Sequence, residues 1–144
     1  SILGPRMPLQ QIDDDKFAEV MQVNVQATFG LTRALLPLLQ LSSDASIVFT
    51  SSGVGRQGRA YWGPYAVSKF ATEGLMQVLA DELDETHLRA NSVNPGATRT
   101  SMRTAAYPGE HPHNNPLPEA IMPLYLYLLG PDSKGVNGQA LSAQ

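Results

Sequence analysis

The chain has 144 residues, 42% hydrophobic and 16% charged, the makeup of one ordinary globular unit. Ten basic residues against thirteen acidic ones give a formal charge of −3, so there is no broad cationic surface to hold a nucleic-acid backbone. With no cysteine, disulfides, thiolate catalysis and cysteine-ligated metals are excluded, and a reducing cytoplasm fits. No apolar run approaches the roughly 20 residues that cross a bilayer, and residues 1–10 lack the parts of a signal peptide, so the chain reads as soluble, without a membrane partner.

Residues 12–39 are predicted to form a long helix. Asp13, Asp14 and Asp15 supply an N-cap and first-turn charge, and Pro37 kinks or ends it. Phe17, Val20, Met21, Val23, Val25, Phe29, Leu31 and Leu35 occupy most of its circumference, which asks for cover on more than one side. Residues 45–50 hold the run Ile47, Val48, Phe49, expected of a strand buried on both faces of a parallel sheet. A glycine-punctuated loop over 51–63 follows. Pro64 suits the first turn of a helix over 64–85 with Ala71, Leu75, Val78, Leu79 and Leu83 as its inward stripe, while Phe70, Gly74 and Gln77 lie elsewhere on its surface.

A second strand is predicted over 88–93 and is broken by Asn94, Pro95 and Gly96. Residues 98–118 show no periodicity and read as a long mobile loop able to act as a lid. A last helix over 118–129, closed by Gly130 and Pro131, and a strand over 138–143 complete the chain. The class is therefore α/β: a Rossmann-like doubly wound parallel sheet, of which this chain supplies about three strands and three main helices.

The chemistry concentrates in eighteen residues. Tyr65 and Lys69, at i and i+4, share a helix face, which brings an ammonium near a phenol and favours the phenolate. Ser52, at the carboxyl end of the first strand, is placed to donate a hydrogen bond to a substrate oxygen that gains charge. Open parallel sheets bind ligands at this end, so residues 94–100 are expected to face the same crevice. Tyr61 and Trp62, just before the catalytic helix, would line an apolar substrate pocket or pack beneath it.

Two patterns are set aside. Gly53, Gly55 and Gly58 spell G-x-G-x-x-G after a strand, but the helix waits until Pro64 and Glu73, near where a ribose-binding acid is needed, falls inside a helix. His111 and His113 flank Pro112 with no third ligand at metal spacing, so no metal site is expected.

At S-S-G-V-G-R-Q-G-R-A-Y-W-G-P-Y-A-V-S-K the sequence resembles the classical short-chain dehydrogenase/reductase family, and within it the bacterial oxidoreductases of the YciK type. Ser52 lies thirteen residues before Tyr65, as in that family, and Lys69 completes Y-x-x-x-K. Asn24, in V-N-V-Q-A-T-F, resembles the family asparagine that holds a water in a proton relay. Pro95, Gly96 and Thr98, with Thr100, resemble the N-P-G-x-T segment that clasps the nicotinamide carboxamide.

The resemblance implies an NAD(P)-dependent interconversion of a carbonyl and an alcohol, with Tyr65 as general acid and base and with NAD or NADP as cofactor. It covers the C-terminal catalytic part of one domain, residues 1–144, without the family's glycine-rich dinucleotide turn. It also implies a homodimer or homotetramer formed through helices 14–36 and 64–85. Two other functions share these residues: a non-catalytic nucleotide sensor or scaffold, which has no need of a paired phenol and ammonium, and an epimerase or dehydratase using the same Tyr and Lys while recycling its cofactor.

Overall fold

A computed structural model describes residues 1–144. Helices α1 (Asp14–Met21) and α2 (Ala27–Leu39) run together through a π-helical turn, Gln22–Gln26. Asp13 takes the N-cap position with extended backbone but makes no side-chain capping bond, and Asp14 and Asp15 place negative charge in the first turn. Pro37 is accommodated inside the helix, which ends two residues later. After β1 (Ala45–Thr50), a short 3-10 turn at Gly53–Gly55 leads toward α3 (Gly63–Glu82). The chain continues through β2 (Leu88–Asn94), α4 (Ser101–Ala106), α5 (Met122–Leu129) and β3 (Ala140–Ser142).

The strands form one parallel sheet in the order β1-β2-β3, with Ala45 opposite Leu88 and Ser92 opposite Ala140. Successive side chains of β1 point to opposite faces. Ala45, Ile47 and Phe49 pack with Met76, Leu79 and Ala80 of α3 and with Leu83 just beyond it. On the other face, Ser46 Oγ donates to Leu128 O and Thr50 Oγ1 meets Tyr125 Oη at 3.1 Å, both on α5. Helices thus cover both faces of the sheet, the doubly wound arrangement expected of an α/β chain.

The structure departs from or adds to the expectations at four points. The inward face of α3 turns through Met76 and Ala80, and Val78 is 58% exposed. The 98–118 stretch is not a structureless loop: Thr100 caps α4 by accepting from Arg103 N at 3.2 Å, and a 3-10 turn follows at Pro112–Asn114. The stretch is also tied down, because Arg103 donates two bonds of 2.6 Å to the Glu110 carboxylate and Asn115 Nδ2 donates a third. The last helix begins with a 3-10 turn, Pro118–Ile121, before α5. Finally, β2 is buried along its length although it contains Arg89, Asn91 and Ser92. Arg89 pairs with Asp44 and donates to Gly130 O, and Asn91 Nδ2 donates to Val136 O, so its polar groups are satisfied inside.

Candidate active site

Both ends of the loop between β1 and α3 deliver chemistry to one place. Ser52 follows β1 directly, in extended conformation, and its Oγ accepts from Val54 N at 3.4 Å at the head of the 3-10 turn. Tyr65 lies in the first turn of α3, whose start matches Pro64, and Lys69 lies one turn on. All three line a single cavity of about 540 Å³ at the carboxyl end of the sheet. The segment after β2 forms another wall, with Pro95, Gly96, Thr98 and Thr100 on the same cavity. Gly96 stands at φ +73, a left-handed conformation that glycine adopts without penalty. Thr98 is buried and its hydroxyl donates to Pro95 O, while Gln144 Nε2 donates to Pro95 O at 2.7 Å and to Ala97 O at 3.2 Å.

The electrostatics depart from the expected phenolate. Burial pushes the Tyr65 phenol above its ordinary pKa, and hydrogen bonding with the Ser52 hydroxyl offsets this only in part. Lys69 Nζ lies 5.5 Å from the Tyr65 ring centre and donates to Thr50 O at 2.7 Å. Its charge is therefore directed to the end of β1, and burial wins over it at the phenol. Lys69, 4% exposed, has its own pKa lowered to about 8, by burial first and against the raising influence of the Glu73 carboxylate.

Asn24 sits in the π turn, a helix irregularity common at functional sites, but does not line the cavity. Its carboxamide behaves like a peptide group of a neighbouring strand: Oδ1 accepts from Ile2 N at 2.7 Å, and Nδ2 donates to Ile2 O at 2.8 Å and Ser68 Oγ at 3.0 Å. Ser68 Oγ in turn donates to Tyr65 O, which ties the π turn to the catalytic helix. The side chain thus anchors the segment before α1.

Tyr61 and Trp62 separate. Tyr61 is 58% exposed, does not line the cavity and holds φ at 69°, a strained value for a tyrosine. Trp62 lines the cavity, with its ring centre 5.9 Å from that of Tyr65. The sequence reading missed Arg6, whose guanidinium lies over both Trp62 and Tyr107, 4.3 and 4.9 Å from the ring centres, and donates to Ala106 O. It also missed Met102, Arg103 and Tyr125 on the cavity wall. A hydroxyl within the apolar run 121–129 was the available signal for Tyr125. Met102 and Arg103 lie in a stretch without periodicity and left none.

Asp, Glu and His side chains nowhere gather as three or more potential metal ligands, and the His111 and His113 rings lie 5.3 Å apart on an exposed turn. No helix is long and apolar enough to cross a membrane.

The family model for the short chain dehydrogenase matches residues 3–111. The chain belongs to the short-chain dehydrogenase family. It is 57% identical to the oxidoreductase YciK of Escherichia coli K12 over 143 residues, which cover 99% of this chain and 56% of that protein, as the YciK-type resemblance anticipated. A solved chain from Pseudomonas syringae is 72% identical with a TM-score of 0.98, over all of this chain and 59% of its own. A short-chain dehydrogenase from Escherichia coli CFT073, solved in complex with NADPH, is 57% identical with a TM-score of 0.96, over 99% of this chain and 59% of its own. These short-chain dehydrogenase relatives carry the same fold, so the three parallel strands and flanking helices form a Rossmann-like sheet. This chain spans a little over half the length of the relatives it matches.

Proposed function

We propose that the chain carries the proton-transfer part of an NAD(P)-dependent oxidoreductase that interconverts a carbonyl compound and its alcohol. The observation that carries this reading is the convergence of Ser52, Tyr65 and Lys69 on one cavity beside the 95–100 segment. In reduction, Tyr65 donates its phenolic proton to the substrate oxygen. Its raised pKa keeps the donor form filled at neutral pH, ready for an oxygen that becomes far more basic as it gains charge. Ser52 Oγ donates to the same oxygen and steadies it.

The cavity suits a nicotinamide cofactor on chemical grounds. Lys69 Nζ bears three N–H groups and only Thr50 O accepts from it, so two donors remain for ribose hydroxyls. Pro95, Gly96, Thr98 and Thr100 would hold the carboxamide side of the ring across the cavity. When bound, NAD or NADP supplies the hydride. Support for this class of cofactor comes from the NADPH-complexed relative, 57% identical to this chain. Asn24 is assigned to the return of the proton by holding a water. Its N–H groups are committed to Ile2 and Ser68, and its Oδ1 and backbone O already accept from Ile2 N and Thr28 Oγ1, so a water would be received at a remaining lone pair of an oxygen. Trp62 borders the substrate side and favours a carbonyl compound with an apolar body. The same reading includes assembly as a homodimer or homotetramer through helices 14–36 and 64–85.

The test is Tyr65→Phe in the full protein, assayed by cofactor absorbance against a panel of ketones and aldehydes. The ring and its contact with Trp62 survive, so circular dichroism stays unchanged while turnover falls by at least about 10²-fold. Near-normal turnover in the folded variant refutes Tyr65 as the proton donor. Cofactor bound tightly by the parent protein but never consumed refutes the oxidoreductase.

A further inference from the structure

The glycine-rich turn at 53–58, set aside as a phosphate cradle because the helix starts only at Gly63, packs against the lysine of the cavity. A Cβ on Gly55 would lie 2.7 Å from Lys69 Cβ and 2.9 Å from the Lys69 carbonyl, so the turn presses directly on the backbone of the active lysine. Arg56, the next residue, lies over the buried middle of α3. There Arg56 Nε donates to Glu73 Oε1 at 3.0 Å, and Ser92 Oγ of β2 donates to Glu73 Oε2 at 2.6 Å. The rest of the guanidinium reaches β3, donating to Leu141 O at 2.8 Å and Ser142 Oγ at 3.2 Å. Glu73 is 5% exposed and stands one helical turn beyond Lys69, as Lys69 stands one turn beyond Tyr65.

We propose that Arg56 and Glu73 form a positioning pair for Lys69, in which Glu73 supplies the counter-charge that keeps the buried ammonium charged and Arg56 sets how much of that charge the lysine feels. This rests on the reading of Lys69 as the active lysine. The groups facing Lys69 are few. Its own helix offers the Tyr65 phenol and, one turn on, the Glu73 carboxylate, and β1 offers the Thr50 carbonyl; Arg56 of the turn and Ser92 of β2 act on it through Glu73, which both bind. The cavity wall contributes no carboxylate, and its other cation, Arg103, is paired with Glu110. Burial works to remove the lysine proton and the Glu73 charge works to keep it. Glu73 is itself kept ionised: burial raises its pKa, but the hydrogen bonds from Ser92 and Arg56 outweigh burial and lower it.

A structural ion pair and a positioning pair differ in the sign of what their removal does. Neutralising Glu73 takes away the counter-charge, so the Lys69 pKa falls. Neutralising Arg56 frees the carboxylate to act on the lysine, so the Lys69 pKa rises. This chain contributes Lys16, Lys69 and Lys134, and in a pH titration by NMR of the full protein with carbon-13-labelled lysine side chains the Lys69 signal is the one that Lys69→Met removes. The parent Lys69 is expected to titrate near about 8. In Glu73→Gln its midpoint drops by on the order of one pH unit, in Arg56→Gln it rises, and in the conservative Glu73→Asp it stays near the parent value. An unmoved midpoint in Glu73→Gln, or a shift of the same sign in Glu73→Gln and Arg56→Gln, overturns the proposal. Should Glu73→Gln fail to fold, the upward shift in Arg56→Gln decides, and its absence is fatal. The titration needs no substrate, so its outcome is independent of whether Tyr65→Phe bears out the oxidoreductase.

Discussion

Lys69 is held where a charge is costly. With a pKa lowered from 10.5 to about 8, the folded state binds its proton less tightly than the unfolded chain does. Between those two values the unfolded state carries more protons, so this group makes stability rise with pH across that window, and below about pH 8 its cost is fully present. Each pKa unit corresponds to about 1.4 kcal/mol, and the bond to Thr50 O returns part of the total. Lys69→Met, similar in length and at ease in a buried site, is therefore expected to lose turnover while gaining about 2 kcal/mol of stability at pH 7. Urea unfolding of both proteins at pH 7, 9 and 10.5 checks this. The gap should close as pH rises, and a variant no more stable than its parent at pH 7 would refute the cost assigned to the buried ammonium.

At the scale of elements, the turn between β1 and α3 shows why motif and geometry have to be read together. Its glycines match a phosphate-binding pattern, yet Gly55 is required for a close approach to Lys69. Gly55→Ala is expected to cost about 1–3 kcal/mol by overpacking against backbone that cannot yield, while Gly58→Ala, with open space around its Cβ position, leaves the melting temperature nearly unchanged. Equal melting temperatures for the two variants would contradict the packing role.

The elements that were legible in advance are those whose signals are local. Pro64 marked the start of α3 to within a residue, and Ile47–Val48–Phe49 marked β1. The approach of Ser52 to Tyr65 followed from their spacing around a strand end and a helix start. What stayed hidden depends on tertiary partners. The burial of Arg89 and Asn91 in β2 relies on Asp44 and Val136, far away in sequence. Helix α4 has six residues, too few for an apolar stripe, and is fixed by its Thr100 cap and the Arg103–Glu110 pair. The commitment of Asn24 to Ile2, and the displacement of Tyr61 from the pocket, depend on backbone paths that residue types alone do not define.

For the molecule as a whole, the apolar surface left open is the dominant fact. Along α1, the π turn and α2, Phe17, Val23, Phe29, Leu31 and Leu35 are all exposed, and only Val20 of the predicted apolar set is buried. In α3, Val67, Phe70 and Val78 are 43%, 47% and 58% exposed. Large apolar side chains exposed along two long helices ask for cover, and we propose that further copies of the protein supply it. Homo-oligomerisation through 14–36 and 64–85 makes a definite prediction. Light scattering of the full protein is expected to give the mass of two or four copies, and Phe70→Glu, at a side chain 47% exposed on α3, lowers it toward one. On an isolated surface such a substitution changes stability by no more than about 0.5 kcal/mol, so a falling mass accompanied by an unchanged circular dichroism spectrum isolates the interface. A parent protein already at the mass of a single chain, or a Phe70→Glu variant that keeps the parent mass, removes α3 from the assembly.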